Sequence, residues 1–437
     1  VYPLFVRRAI GAVAVPLLLV STAQAIETSA VSSAASSAGL AAEPLTLREA
    51  LRRAALSHPD LQGFAAEREG LAAGKALAGR SPVPEVGLLL EDAFGTGSRQ
   101  ALDGAQWTLS FTQALEIGEQ RVGRIALAEA RVDALSAAQA QKRRDAYAEV
   151  AQRFIEAAAD DQRRLLAEEQ VELAQKAHEA AQARVRAARA PLAEQSRARA
   201  ALAQATLERE HAEHEELSAR VALAVSLGLP EPDFGALQAQ LFELPPVRPL
   251  DELRERLKQS PGAQARLAEA AVFEAERRAA LASAGLKPTF TGGLRRYDAG
   301  NDDAGLVVGV SVPLFARRKA GDEAAIASAQ LAKSEAENRA ALLRAEELLY
   351  DRYQELGHAR EALRLLDTEV LPARDEALAQ TQYAFERGRY GYQELSLALQ
   401  ERASAQRERL DTAAHYHSLL AELERLTGER LIEGSQP

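Results

Sequence analysis

Hydrophobic and polar positions along the chain follow two periods, and each period occurs twice. Stretches with helical spacing of apolar residues occupy 45–57 and 250–259, each stopping at an X-Pro step, His58-Pro59 and Ser260-Pro261. Second helices follow at 60–79 and 262–284. Strand chemistry then takes over at 84–115 and 288–315. Very long helical runs follow at 118–188 and 317–387, then turns at Ala190-Pro191 and Gly388-Arg389-Tyr390-Gly391. Return helices at 192–227 and 392–426 end at Gly228 and Gly428, the residue type that caps a helix C-terminus. The two halves are offset by roughly 200 residues and separated by a stretch, 229–249, that holds Pro230, Pro232, Pro245, Pro246 and Pro249.

Each long helical run is about 70 residues and would rise about 105 Å. The apolar positions in it are mostly Ala and Leu with Arg/Glu pairs between them, which suits close, antiparallel coiled-coil packing.

The strand segments alternate. Trp107, Leu109 and Phe111 share one face, with Thr108, Ser110 and Thr112 on the other. Val86, Leu88 and Leu90 alternate less cleanly, because Leu89 interrupts them. In the second half Leu306, Val308, Val310 and Val312 share a face opposite Gly309 and Ser311. Each segment contains a polar loop, 95–99 in the first and Asp298, Gly300, Asn301, Asp302 and Asp303 in the second, so each half carries one β-hairpin. Strands of this length with an apolar face fit a membrane barrel. Four strands cannot close one, since the smallest bacterial barrels have about eight and an open edge leaves backbone groups unpaired in lipid. Copies of the chain are then expected to share one barrel. Soluble hairpins on a periplasmic structural coiled-coil protein are the other reading of the same pattern.

The N-terminus reads as a secretory signal over 1–25. Arg7 and Arg8 precede an apolar run at 9–20 and a small-x-small step, Ala23-Gln24-Ala25. The apolar run is too short to span a bilayer. Residues 26–44 read as a flexible leader. The expected organisation is then a first repeat at 45–228, a linker at 229–249, a second repeat at 250–428 and a tail at 429–437.

Composition narrows the function. Apolar residues make up 47% of the 437, yet aromatics only 5%, which suits long helices better than a mixed globular enzyme. With no Cys, disulfides, thiolate zinc sites, cysteine nucleophiles and a lipid anchor on Cys are excluded. A net charge of -10 argues against nucleic acid as a partner. No nucleophile elbow, P-loop or zincin pattern is present, so neither an enzyme nor a cofactor is expected.

Several motifs resemble the TolC-type outer-membrane efflux factors over 45–428. After the first hairpin comes Phe111-Thr112-Gln113-Ala114-Leu115-Glu116-Ile117-Gly118, then Arg121 and Arg124. After the second comes Ser311-Val312-Pro313-Leu314-Phe315 with Arg317. Near the second turn stand Tyr383-Ala384-Phe385-Glu386-Arg387-Gly388, Glu394-Leu395 and Ala398-Leu399-Gln400-Glu401-Arg402, and the end reads Leu423-Glu424-Arg425-Leu426-Thr427-Gly428. The Gln-Ala-Leu-Glu segment and this ending look most like the heavy-metal (cobalt–zinc–cadmium) branch. The first turn departs from the family in having Ala188-Arg189-Ala190-Pro191 in place of a glycine turn.

The resemblance implies a mainly α protein with a small β part: a homotrimer with a 12-stranded barrel in the outer-membrane lipid and an α-helical tunnel in the periplasm. It implies docking on a periplasmic adaptor that serves an inner-membrane pump of the resistance-nodulation-division type, with heavy-metal cations as cargo and organic drugs as the alternative. Lipid is expected on Trp107, Leu109, Phe111, Leu306, Val308 and Val310. The adaptor is expected on the tip, at Arg189, Pro191, Leu192, Gly388, Tyr390, Gly391 and Leu395. Glu194 and Glu394 hold equivalent places and under threefold symmetry would form acidic rings in the lumen; each also sits in a first helical turn, where the helix dipole favours a carboxylate. No resident metal is expected. His211 and His214, three apart on one helix, are weak candidates for metal contact, with His415 and His417 at nearly the same level of the second half.

Overall fold

A computed structural model of the protein describes residues 43–429 apart from 103 and 298–302. The signal segment, the leader through residue 42, most of the second polar loop and the tail from residue 430 lie outside the described residues.

The elements run β1 (Leu45–Thr46), α1 (Leu47–Ser57), α2 (Pro59–Ala78), β2 (Glu85–Glu91), β3 (Gln106–Ala114), α3 (Gln120–Arg186), α4 (Leu192–Ser226) and β4 (Leu237–Gln238). The second half then gives α5 (Leu250–Lys258), α6 (Pro261–Ala282), β5 (Thr289–Tyr297), β6 (Ala304–Ser311), α7 (Ala316–Leu365), α8 (Leu371–Glu386) and α9 (Tyr392–Thr427). The X-Pro steps break the opening helices as read. Pro59 and Pro261 each open a helix, where a missing N–H costs nothing, and the side chains of His58 and Ser260 cap it by accepting from Asp60 N–H and Ala263 N–H.

Gly228 and Gly428 have φ of 77° and 71°. A Cβ on Gly228 would stand 2.3 Å from the Ser57 carbonyl oxygen, and one on Gly428 2.8 Å from Pro261 Cδ. In each half, then, the end of the return helix seats on the X-Pro break of that half's opening helices, and only glycine fits the seat.

Three expectations need correction. Leu45 does not begin a helix: it forms β1, which pairs in parallel with Leu237, and Thr46 caps α1 by accepting from Glu49 N–H at 3.3 Å. The stretch 229–249 is not a spacer. Phe234 is buried with Leu45, Leu51, Phe154 and Leu223, while Leu241 is buried with Leu253, Leu349, Leu410 and Tyr416. Leu237 and Ala239 touch both clusters, so this stretch stitches the two cores together. Finally, the second long run is not one helix. A π-turn at Leu366–Val370 separates α7 from α8, with the Leu371 N–H bonding back to the Leu366 carbonyl. Pro372 lies inside the run, has no N–H to give to the ladder and crowds the preceding turn, and the wider turn accommodates it. The first run lacks proline and is one 67-residue helix, about 100 Å long.

The four longer strands form one antiparallel sheet in the order β2-β3-β5-β6. Leu88 stands opposite Leu109, Leu109 opposite Leu294, and Leu294 opposite Leu306. This register carries one apolar face across all four strands.

Candidate functional site

Among the described residues no helix is long and apolar enough to cross a membrane. The sheet is different. Val86, Leu88, Trp107, Leu109, Phe111, Phe290, Leu294, Leu306, Val308 and Val310 share its apolar face, and all are exposed, Leu306 and Val308 by about three quarters. The six lipid-facing residues read from the sequence therefore lie on one surface. The opposite face carries Gly87, Ser110, Thr112, Thr291, Gly293 and Gly309. Its polar groups pair with one another: Thr112 and Thr291 hydroxyls lie 3.1 Å apart, and Arg295 donates to Glu91 at 2.6 Å and Thr108 at 2.9 Å. Apolar outside and small or polar inside is the pattern of a barrel wall with an aqueous lumen. Among the described residues neither sheet edge, β2 or β6, has a further strand partner.

The two turns meet at the other end of the long helices. Their backbones are alike at an offset of 200. Ala188 and Gly388 both take left-handed conformations, φ 55° and 74°. Arg189 N–H donates to the Arg184 carbonyl and Arg389 N–H to that of Ala384, at 2.8 and 2.9 Å. The absence of glycine from the first turn thus changes its strain, by about 1–2 kcal/mol, and not its shape.

The caps differ. Gly391 N–H donates to Glu394 at 3.1 Å, which closes the start of α9. Pro191 has no N–H, so Glu194 cannot do the same for α4. Its Oε1 instead approaches Gly391, where a Cβ would lie 3.3 Å from it and 3.2 Å from Glu394 Oε2. Its Oε2 is buried without a hydrogen-bond partner among the described residues. The two carboxylates proposed as separate rings therefore converge on one glycine.

Arg184, which sequence reasoning did not single out, joins the hairpins. Its Nη1 donates to the carbonyls of Phe385 (3.0 Å) and Tyr390 (2.9 Å), and its guanidinium lies 4.3 Å over the Phe385 ring. The only signal in sequence was an asymmetry, since the position 200 further on is Ala384. Beneath it Ala181, Ala198, Leu378, Phe385, Tyr392 and Leu395 form a buried cluster. Leu395, expected on the docking surface, is corrected by this cluster: it is 4% exposed and packs between the hairpins. Arg189, Pro191, Leu192, Gly388 and Tyr390 are exposed.

The histidines do not form one band. His211 Nε2 lies 3.0 Å from Glu215 on its own helix, and with His214 it borders an open groove that also holds Asp160, Arg163 and Asp411. His415 instead meets Glu355 of α7 at 2.9 Å. His417 turns to the Leu241 carbonyl at 3.0 Å, and burial pushes its pKa down although that hydrogen bond works the other way. Residues two apart on a helix diverge by about 200°, which explains the split. Among the described residues no three His, Asp or Glu side chains converge as metal ligands.

An amphipathic four-stranded sheet on long paired helices defines a class, that of outer-membrane channel subunits. Comparisons place the chain within it. Residues 50–229 match the family described as outer membrane efflux protein. The chain is 31% identical over 360 residues to the cobalt-zinc-cadmium resistance protein CzcC of Cupriavidus metallidurans, an alignment covering 80% of this chain and 82% of that one. Among solved structures, CusC superposes with a TM-score of 0.73 at 14% identity, covering 91% of this chain and 96% of the other. The outer-membrane channel OprN superposes with 0.71 at 18% identity, covering 88% and 90%. The chain belongs to the outer membrane efflux protein family, and it is an efflux channel of the outer membrane.

Proposed function

We propose that three copies of the chain pool their sheets into a 12-stranded barrel, and that their paired helices continue it as a tunnel into the periplasm. The assembly passively conducts heavy-metal cations delivered by an inner-membrane pump of the resistance-nodulation-division type through a periplasmic adaptor. The observation that carries this reading is the sheet: four strands, one apolar face and two edges without partners. Such edges are untenable in lipid unless another chain covers them. The adaptor docks on the turns through the exposed Arg189, Pro191, Leu192, Gly388 and Tyr390 and the half-buried Gly391. The choice of metal over organic cargo rests on the likeness to CzcC. No catalysis is assigned to any residue.

Two experiments test it. The chain has no cysteine, so single cysteines along β2 and β6 can be paired without background. At matched positions they should give covalent trimers on non-reducing gels. Uniform monomers across the scan refute the shared barrel. Deleting the gene should raise sensitivity to zinc, cobalt or cadmium. Sensitivity to antibiotics alone would move the cargo to organic solutes and leave the channel standing.

A further inference from the structure

We infer that the junction between the sheet and the helices is a basic collar that binds the phosphate groups of anionic glycerophospholipids in the leaflet facing the periplasm. This rests on the outer-membrane placement of the sheet and on neither the trimer nor the cargo.

The junction is one layer, tied across the two halves by backbone. Leu115 N–H donates to the Pro288 carbonyl at 2.9 Å and Ile117 N–H to that of Leu286 at 3.2 Å. Arg124 reaches the Arg80 carbonyl at 3.3 Å. Ser311, five residues before α7, pairs with Thr289 at the start of β5. Arg80, Arg121, Lys287, Arg317, Arg318 and Lys319 are all exposed in this layer. The carboxylates there are Glu85, Glu116 and Glu119, with Asp322 and Glu323 one turn further along α7, and Glu116 is already held by Arg124 at 2.9 Å. The Arg124 hydrogen bond keeps the Glu116 carboxyl below the usual range despite burial, and Lys287 and Arg121 add to it, which places those two cations close by. A chain of net charge -10 thus reverses sign at this level. Arg317 and Arg318 have no ion-pair partner among the described residues, and Lys319 meets Glu323 only at 3.6 Å.

Apolar surface adjoins the cations. Val312 follows Leu306, Val308 and Val310 in the strand alternation, and Leu314 and Phe315 are 78% and 81% exposed. The chain therefore passes from a lipid-facing strand through exposed Leu and Phe to Arg317-Arg318-Lys319 within a few residues. That order matches acyl chain, interface and headgroup, the level at which Lys and Arg meet lipid phosphates. At the opposite end of the sheet the charges are used internally: Arg295 is paired with Glu91, and Arg99 with Asp92. Among the described residues the junction sets Arg317 and Arg318, neither in an ion pair, beside an apolar band.

The test uses the full chain, extracted from outer membranes, delipidated in a neutral detergent and titrated with dioleoyl phosphatidylglycerol or dioleoyl phosphatidylcholine while the melting temperature is followed. Phosphatidylglycerol should stabilise the wild type at lower concentration than phosphatidylcholine. The R317Q/R318Q/K319Q variant should lose on the order of tenfold to a hundredfold of the phosphatidylglycerol affinity. It should melt like the wild type in phosphatidylcholine, and R197Q/R199Q, at the tip, should behave as wild type. Equal response to the two lipids, full retention of the preference by the triple variant, or reproduction of the whole shift by inorganic phosphate overturns the proposal. Recovery of the wild type outside the outer membrane would instead overturn the placement, and the proposal with it.

Discussion

The two halves of the chain repeat one plan and execute their long arms differently. In the first, α3 runs unbroken from Gln120 to Arg186. In the second, α7 and α8 are separated by the π-turn at Leu366–Val370. The left-handed turn residue lies 74 positions after the last strand residue in the first half (Ala114 to Ala188) and 77 in the second (Ser311 to Gly388). The π-turn can absorb one of these three additional residues without unwinding the helix. Both arms nonetheless reach the same tip with the same turn. Backbone regularity is therefore dispensable in this architecture, whereas the level of the tip and the seating of the return helices are not.

The strongest test of that comparison moves the break. Glu172 is exposed in α3 and lies 200 positions before Pro372. Glu172→Pro should cost about 3 kcal/mol or more, because α3 has no wider turn to receive it. Pro372→Glu should change stability by less than about 1 kcal/mol, within the span of ordinary helix propensities. Thermal melting with circular dichroism measures both, and equal costs would show that the arms are equivalent after all.

Arg184→Ala comes next. It removes the donor to the Tyr390 carbonyl and one of two donors to the Phe385 carbonyl, which keeps the Gly388 N–H at 3.0 Å, and should cost about 1–3 kcal/mol, concentrated in the second turn. Hydrogen exchange of 384–392 should accelerate while that of α3 does not. Protection that is unchanged would mean that the guanidinium does not join the hairpins.

The turns themselves sharpen the comparison at smaller scale. Gly388→Ala should destabilise by about 1–2 kcal/mol, the ordinary penalty for a side chain in the left-handed region. Ala188→Gly should stabilise, by less than that, since glycine costs more entropy on folding. A loss of stability in the second variant would contradict the strain assigned to Ala188.

The smallest effect expected is a pH dependence specific to the second half. Burial lowers the His417 pKa below its ordinary 6.5, so the folded chain holds the neutral form. As pH falls below about 6.5 the unfolded chain gains a proton that the folded chain resists, and stability declines until the folded pKa is reached. His417→Gln should lose less stability than the wild type on acidification through that window.

Much of this was legible along the chain. Alternation in 107–112 and 306–312 located the strands and their faces, because a period of two fixes which side each residue takes once one face meets an apolar medium. The 200-residue offset located both turns and paired Glu194 with Glu394. The X-Pro steps and terminal glycines set helix ends, since both act on the backbone locally. Other features escaped for a shared reason. The destination of Phe234 and Leu241 depends on two cores that meet across 229–249. Leu395 carries no mark that separates a docking residue from one buried between hairpins. The work of Arg184 is defined by carbonyls some 200 residues away.

By itself the sequence determined the longer elements, their duplication and the two faces of the sheet, all consequences of local sterics and of solvent acting on nearby residues. Tertiary structure alone decided which carboxylate caps a helix and which is left facing Gly391, and which half of the chain each buried side chain serves. Those outcomes follow from surfaces brought together over long separations, where packing and hydrogen-bond partners are chosen by proximity in space.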